Sequence, residues 1–299
     1  MSIPDPHWPP AGVWLTGESA HPDLVVVGVP SSRASLTPSR ADLTPLELRR
    51  RLNRFSTFHG ELGVDFSSVA VRDVGNWAVS ELGAVPLIGE LMRLAGGLPS
   101  ARLKLYIGGD NAITRPLVAA QSDDLSDVGV ITFDAHHDVR SLENGPSNGT
   151  PIRGLIEEHG LPGQNVVQIG IHSFANSAEY RAYCDDAGIT TVTIDQVERI
   201  GMKATIDVAL GRLGATCKSI YVDVDIDVLD RVFAPACPGA RPGGLSVRQL
   251  ADGVARCAAH HSVTAMDFVE VDAAADIDHQ TLDVTAHVML SAIAGFATR

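Results

Sequence analysis

The residues best suited to hold a metal ion lie at the end of a strand that the sequence predicts at 129–134. Asp134, His136 and Asp138 are spaced two apart, so an extended backbone would turn all three to one side and His137 to the other. This spacing indicates a metal site at the strand end. A solvated end whose acids contact only water is the alternative.

A second acidic group follows the predicted strand at 219–225. Asp223, Asp225 and Asp227 would share one face, and carboxylates that leave an apolar strand without a counter-charge lose hydration at a cost of several kcal/mol each. Arg231 could offset one of these charges, whereas a divalent cation offsets several. Carboxylates together with an imidazole suit Mn²⁺. A surface run of acids is the alternative.

Two further predicted strands also end in polar residues. The first runs over 103–108 and is followed by Gly109, Asp110 and Asn111, and the second runs over 263–271 and contains Glu270. Open α/β sheets build their sites where parallel strands end. The sequence therefore predicts that these polar groups meet at one edge of a sheet.

The elements that must position these residues alternate along the chain. Short apolar, β-branched runs predict strands at 24–29, 103–108, 129–134, 166–171, 190–194, 219–225 and 263–271. Apolar residues at three-to-four spacing predict helices at 43–52, 87–94, 177–187, 202–213 and 247–260. This order is typical of an α/β fold with a mostly parallel sheet, and without a convincing linker we expect one domain over 1–299.

The negative net charge of the chain argues against nucleic acids and anionic membranes as partners. The chain has 36 Asp and Glu against 23 Lys and Arg, a formal charge of −13, whereas nucleic acids and anionic membranes attract clustered positive charge. No apolar run reaches the roughly 18 residues that span a bilayer, and the N-terminus lacks a signal-peptide pattern. We expect a cytoplasmic protein that acts on a small molecule and binds neither nucleic acid nor membrane.

Taken together, the four strand ends resemble the signatures of the arginase, agmatinase and formimidoylglutamase family of binuclear manganese hydrolases. The signatures match in order between Gly108 and Asp272. The resemblance implies a three-layer α/β/α arginase-like fold with a mostly parallel central sheet of about eight strands. It also implies a homo-oligomer.

The resemblance further implies two Mn²⁺ ions per subunit and a set of ligands. Asp134 and Asp225 would bridge both ions, His136 and Asp227 would complete one shell, and Asp138 would bind the other ion. The family places a histidine on that second ion where this chain has Asn111. Asparagine can ligate through its carbonyl oxygen but is a weaker donor than imidazole, so we expect the second ion to be held more weakly. Other departures are Asp223 for the family's serine and Arg231 for its proline.

The formimidoylglutamase branch of the family fits best, because the loop that carries a histidine in arginases and typical agmatinases reads Ser-Asn148-Gly-Thr-Pro here.

Two metals can lower the pKa of a shared water to near neutrality. The family pattern implies that Asp138 orients the resulting hydroxide and that Glu270 pairs with the substrate amidinium. Arg153 is the candidate for a substrate carboxylate, because its planar fork suits bidentate binding, and a surface ion pair is the alternative. Asn148 and Asn176 are further substrate-binding candidates.

The resemblance thus implies a hydrolase of a linear amidine C–N bond, with N-formimidoyl-L-glutamate converted to L-glutamate and formamide as in histidine degradation. A hydrolase of guanidino compounds such as agmatine or guanidinobutyrate is the alternative within the family. If Asn111 does not ligate, a weakly catalytic relative that binds one metal or a small ligand is the alternative from another class.

Overall fold

The structure is a computed structural model that describes residue 5 and residues 7–299. Its strands are, in chain order, β1 (Leu24–Val29), β2 (Phe58–His59), β3 (Val64–Asp65), β4 (Val71–Asn76), β5 (Leu103–Gly108), β6 (Val128–Phe133), β7 (Val166–Ile171), β8 (Thr190–Thr193), β9 (Ser219–Asp225) and β10 (Val263–Val269). Its α-helices are α1 (Ala11–Leu15), α2 (Thr44–Arg51), α3 (Ala84–Gly96), α4 (Thr114–Ala119), α5 (Pro151–His159), α6 (Ala178–Ala187), α7 (Ile194–Ile200), α8 (Met202–Gly214), α9 (Val247–Ala259) and α10 (Gln280–Phe296). The strands predicted from the sequence are all present.

Eight strands form one parallel sheet in the order β4-β1-β5-β10-β9-β6-β7-β8. The short strands β2 and β3 form a separate antiparallel pair. Within the large sheet, β5, β10, β9 and β6 are consecutive neighbours, and their carboxyl ends point to the same edge because the strands are parallel. These are the four strands whose ends carry the predicted site residues.

Strand β1 shows why the sheet is buried on both faces. Leu24 and Val26 pack into one apolar cluster with residues of α2, α8, α9 and α10, whereas Val25 and Val27 pack into a second cluster with residues of α3, α4 and α5. All four side chains are fully buried, as a near-continuous apolar strand requires. Helices therefore cover both faces, and the predicted three-layer α/β/α fold is confirmed.

One strand of the eight-stranded sheet, β4, was not predicted from the sequence. It lies at the edge of the sheet, and its Val-Arg-Asp-Val-Gly-Asn sequence is half-exposed. Five helices were also not predicted, the short α1, α4, α5 and α7 and the long α10. Helix α10 is buried on most of its surface, so its apolar residues lack the one-sided period by which amphipathic helices are detected. Within the part of the chain that the structure describes, no helix is both long and apolar enough to span a membrane.

Helices α9 and α10 pack closely where Gly295 faces α9. A Cβ atom at Gly295 would lie 2.0 Å from the carbonyl oxygen of Ala255, which is backbone and cannot rotate away. The missing side chain is what allows the two helices to approach at this point.

Replacing Gly295 by Ala should therefore lower the free energy of unfolding by about 1–3 kcal/mol, the usual cost of overpacking a dense core. Urea denaturation of the purified variant would measure this loss. Gly211→Ala on α8 is the control, because a Cβ there meets nothing within 4 Å and should stabilise the helix by roughly 0.5–1 kcal/mol. Equal stabilities for Gly295→Ala and the unmodified chain would contradict the close-packing argument.

Candidate metal centre

A cluster of three side chains at the ends of β6 and β9 could hold a metal ion. Asp134, His136 and Asp227 each offer one ligand atom, and these atoms lie within 4.8 Å of one another. The imidazole Nδ1 of His136 lies 3.0 Å from Asp227 Oδ2 and 3.4 Å from Asp134 Oδ1. All three residues were predicted as ligands, and the fold brings them together.

Backbone amides fix these side chains. The His136 amide donates to Asp134 Oδ1 at 2.6 Å, and the Ala135 amide donates to Asp227 Oδ1 at 3.2 Å. The Asp227 amide donates to Asp225 Oδ1 at 2.9 Å, so Asp225 caps the short turn that follows β9. The loop after β6 is thereby tied to the loop after β9, and the carboxylates are oriented in advance of any ligand.

The electrostatics of the cluster favour a cation. Burial, reinforced by the charge of Asp227, raises the pKa of Asp134 to about 6, and burial together with Asp227 and Asp134 raises the pKa of Asp225 well above its ordinary value. Burial lowers the pKa of His136, but Asp227 and Asp134 outweigh it and raise the net value to about 12. Burial is the larger cause for the two carboxyls, but neighbouring negative charge contributes to all three shifts, and a divalent ion would offset that charge.

The donor set and the space beside it both fit such an ion. Carboxylate oxygens and an imidazole nitrogen are donors that Mn²⁺ accepts. Gly239 lies against them, and a Cβ at that position would come within 2.0 Å of Asp227 Oδ2 and 3.0 Å of the His136 ring. The glycine thus leaves the ligand atoms free of steric contact.

Asp138 and Asn111 lie next to this cluster. The Asn111 side-chain nitrogen donates to Asp138 Oδ2 at 2.6 Å, and the Asn111 carbonyl oxygen accepts from Thr114 at 2.7 Å. Asp138 has a positive φ of 54°, a conformation that costs a non-glycine residue about 1 kcal/mol or more. The predicted second ion would have to lie between these side chains, and its ligands stay a prediction.

Glu270 directly follows β10, which ends at Val269 and not at Val271 as the sequence predicted. Its Oε1 accepts from the Asn111 amide at 2.7 Å and from the Asn148 side chain at 3.0 Å. Burial, followed by the neighbouring Asp110, raises the pKa of Glu270 to about 8. A positively charged substrate group beside this carboxyl would favour its ionised form. Asn148 therefore holds Glu270, in addition to lining the cavity.

A cavity opens above these groups. Its wall includes predicted residues, Asp225, Asp227, His136, Asp138, Asn148, Asn176 and Glu270, and residues that were not predicted, Arg140, Arg241, Leu36, Thr37 and Tyr180 among them. Asn176 accepts from the His137 amide at 2.8 Å and donates to the Ala135 carbonyl at 3.0 Å. It therefore also braces the loop that carries His136.

Arg153 lies outside this wall. It is in the first turn of α5, where its guanidinium donates to Glu157 one turn later at 2.8 Å and stacks 4.6 Å from the ring centre of Tyr183. The arginines that line the cavity are Arg140 and Arg241, and both are exposed. The signal for Arg140 was available in the sequence, because it lies two residues after Asp138 on the same loop.

Comparison with known proteins identifies the family. Residues 22–295 match the arginase family. A formimidoylglutamase of Halalkalibacterium halodurans is 36% identical over 274 residues, which cover 90% of this chain and 86% of that protein. The crystal structure of a formimidoylglutamase from Bacillus subtilis superposes with a TM-score of 0.91 and 32% identity, covering 99% of this chain and 94% of that one.

A third relative carries a metal. The crystal structure of Trypanosoma cruzi formiminoglutamase with Mn²⁺₂ superposes with a TM-score of 0.86 and 27% identity, covering 97% of this chain and 99% of that one. The chain described here belongs to the arginase family. The predicted resemblance to the formimidoylglutamase branch is confirmed by these relatives, and so is the predicted class, a hydrolase of C–N bonds.

Mn²⁺ should raise the melting temperature of the metal-depleted protein, because a ligand that binds only the folded state contributes about 2.7 kcal/mol at 100 times its Kd. Asp227→Asn should reduce this Mn²⁺-dependent rise, since it removes a ligand charge from the cluster. Differential scanning calorimetry with and without Mn²⁺ measures the rise in each protein.

Asp185→Asn is the matched control, because Asp185 is exposed on α6 and pairs with Arg181 away from the cluster. Its response to Mn²⁺ should equal that of the unmodified chain. An Asp227→Asn protein with the full rise would remove Asp227 from the ligand set.

Proposed function

We propose that this protein hydrolyses N-formimidoyl-L-glutamate to L-glutamate and formamide. The observation that carries the proposal is the division of charge in the cavity, where carboxylates form the base and Arg140 and Arg241 lie in the exposed wall. An amidinium at one end and two carboxylates at the other end of the substrate complement this division. The relatives named formimidoylglutamase support the same reaction.

The proposal includes two Mn²⁺ ions. Asp134 and Asp225 would be shared by both, His136 and Asp227 would complete the ligands of one, and Asp138 and Asn111 would complete those of the other. When bound, the ions would supply a water of lowered pKa and a local positive charge. The Trypanosoma cruzi structure with Mn²⁺₂ supports this number. Assembly into a homo-oligomer and a cytoplasmic location stay predictions from the sequence.

The residues of the chain would divide the remaining tasks. Glu270 would hold the amidinium, with its carboxyl oriented by Asn111 and Asn148. Asp138 would accept a proton from the attacking water and return it to the leaving nitrogen. The water oxygen then becomes the carbonyl oxygen of formamide, the bond from the amidine carbon to the glutamate nitrogen breaks, and that nitrogen leaves as an amine.

The released product tests this function against its alternatives. The Mn²⁺-loaded protein should form equal amounts of glutamate and formamide from N-formimidoyl-L-glutamate, and should turn over agmatine and guanidinobutyrate at least tenfold less well by kcat/KM. Urea from a guanidino compound as the preferred reaction would contradict the proposed substrate. An absence of any product with Mn²⁺ bound would favour the weakly catalytic relative.

Binding of the substrate carboxylates should depend on Arg140. Arg140→Met should raise the KM for formimidoylglutamate about 10-fold with little change in kcat, because a charge-assisted hydrogen bond contributes roughly 1.5 kcal/mol and acts in the ground state as well as the transition state. Steady-state kinetics of the loaded enzyme would measure both constants.

Arg153→Met is the matched comparison, since Arg153 was the candidate from the sequence and its guanidinium is directed to Glu157 and Tyr183. We expect its KM to stay within about threefold of the unmodified value, which is less than one charge-assisted hydrogen bond contributes. A large rise for Arg153→Met beside an unchanged Arg140→Met would restore Arg153 as the carboxylate contact.

A further inference from the structure

A buried polar layer lies directly below Asn111. Thr114 Oγ1 is 2.7 Å from the Asn111 carbonyl oxygen and also 2.7 Å from Asp267 Oδ2, and the Tyr221 hydroxyl donates to the same Asp267 oxygen at 2.7 Å. Thr114 and Asp267 are completely buried, and Asn111 is 1% exposed. These side chains therefore have to satisfy one another, because bulk water does not reach them.

Counting protons constrains how the layer is connected. A threonine hydroxyl has one proton to donate and can accept at its lone pairs, whereas an amide oxygen and an ionised carboxylate only accept. Asp267 acts as an acceptor, because Oδ2 receives Tyr221 and Oδ1 receives the Val224 amide at 3.4 Å. The single proton of Thr114 then goes to Asp267, and the atom of Asn111 that faces Thr114 should be a donor.

An asparagine amide can meet this requirement by a half-turn about its terminal bond. Its oxygen and nitrogen have nearly the same shape, so the turn exchanges them without moving other atoms. The nitrogen then donates to Thr114, and the oxygen takes the position 2.6 Å from Asp138 Oδ2 that the nitrogen occupies in this structure. Two acceptor oxygens at this distance repel each other, unless a cation lies between them.

We infer that Thr114 is a positioning residue, whose hydroxyl accepts from the Asn111 amide and so presents the Asn111 carbonyl oxygen to the second metal ion. The inference rests on the proposed function, since it concerns the second of the two proposed ions. The hydrogen-bond chain runs from Asn111 to Thr114 to Asp267, with Tyr221 holding the far end. Among the described residues, no side chain other than Thr114 hydrogen-bonds to this end of the Asn111 amide. Without the Thr114 hydroxyl, no side chain would therefore select the orientation in which the amide oxygen faces the ion.

Thr114→Val tests the inference, because it replaces the hydroxyl by a methyl group of similar size. Equilibrium dialysis against Mn²⁺, followed by metal analysis, gives the number of ions bound and the Kd of each. We expect the tighter ion to be unaffected and the weaker ion to bind about 10- to 100-fold more weakly, the usual effect of losing a group that orients a ligand. Thr114→Ser, which keeps the hydroxyl, should bind both ions like the unmodified chain.

A second pair of variants separates orientation from general damage. In the Asn111→Asp background either side-chain atom is an oxygen, so adding Thr114→Val should change the Kd of the weaker ion less than about threefold, below the 10-fold expected for a lost orienting group. Thr285→Val is the control for a buried threonine elsewhere, since Thr285 donates to the Thr281 carbonyl within α10. It should leave both Kd values unchanged. Thr114→Ala replaces Thr114→Val if the valine protein does not fold.

The outcomes distinguish this inference from the proposed function. If the unmodified chain binds two ions and Thr114→Val binds both equally well, Thr114 has no positioning role and the two-ion proposal stands. If Thr114→Val weakens binding equally in the unmodified chain and in the Asn111→Asp background, the effect is structural and the inference is wrong. If the unmodified chain binds one ion in saturating Mn²⁺, the two-ion part of the proposed function fails and this inference fails with it.

Discussion

The repulsion among buried carboxylates at the ends of β6 and β9 is the constraint on which the rest of the structure depends. Asp134, Asp225 and Asp227 are each at most 3% exposed, and an unpaired buried carboxylate costs several kcal/mol after relaxation. Such groups persist only where the surrounding chain prevents them from moving apart. The backbone hydrogen bonds to their oxygens and the apolar layers on the two faces of the sheet provide that restraint.

Contacts between neighbouring elements also explain the left-handed backbone conformation of the two proposed catalytic carboxyl residues. Asp138 and Glu270 both have positive φ, 54° and 66°, and β-sheet geometry has ended by the time each is reached. The Asp138 carbonyl accepts from the amides of Ile152 and Arg153 at the start of α5, and the Glu270 amide donates to Gly109 beyond β5. Contacts from neighbouring elements therefore hold both side chains in the cavity wall, although the local backbone would favour other conformations.

Much of the site could be predicted from the sequence because parallel strands bring separate segments to one edge. His137 does point away from the cluster, and its ring lies 2.6 Å from Gln168, although β6 ends at Phe133 and the extended backbone expected over 134–138 does not continue to Asp138. For Arg153 the sequence left two interpretations, a contact to a substrate carboxylate and a surface ion pair. Arg153 is close in sequence to the Asn148 loop, but as a residue of the first turn of α5 it reaches Glu157 at i+4, which is the ordinary helical neighbour. Arg140, in contrast, is carried to the cavity by the loop after Asp138.

The edge strand β4 and the buried helix α10 were missed for opposite physical reasons. A strand with one neighbour needs few apolar residues, and a helix surrounded by protein needs few polar ones, so neither shows the alternation from which elements are predicted.

Two departures from the family pattern, Asn111 and Asp223, are far apart in the sequence but meet in the fold. Thr114 Oγ1 lies 2.7 Å from the Asn111 side chain and 3.4 Å from Asp223 Oδ1, and β9 and β10 pair Asp223 with Asp267. A neutral amide needs a hydrogen-bond partner that decides which of its two ends faces an ion, a requirement that a symmetrical carboxylate ligand does not have. Polar groups below Asn111 can supply that partner, whereas an apolar layer could not. In the proposed two-ion site, the two departures would therefore be parts of one local arrangement, in which polar groups beneath the site orient the Asn111 amide.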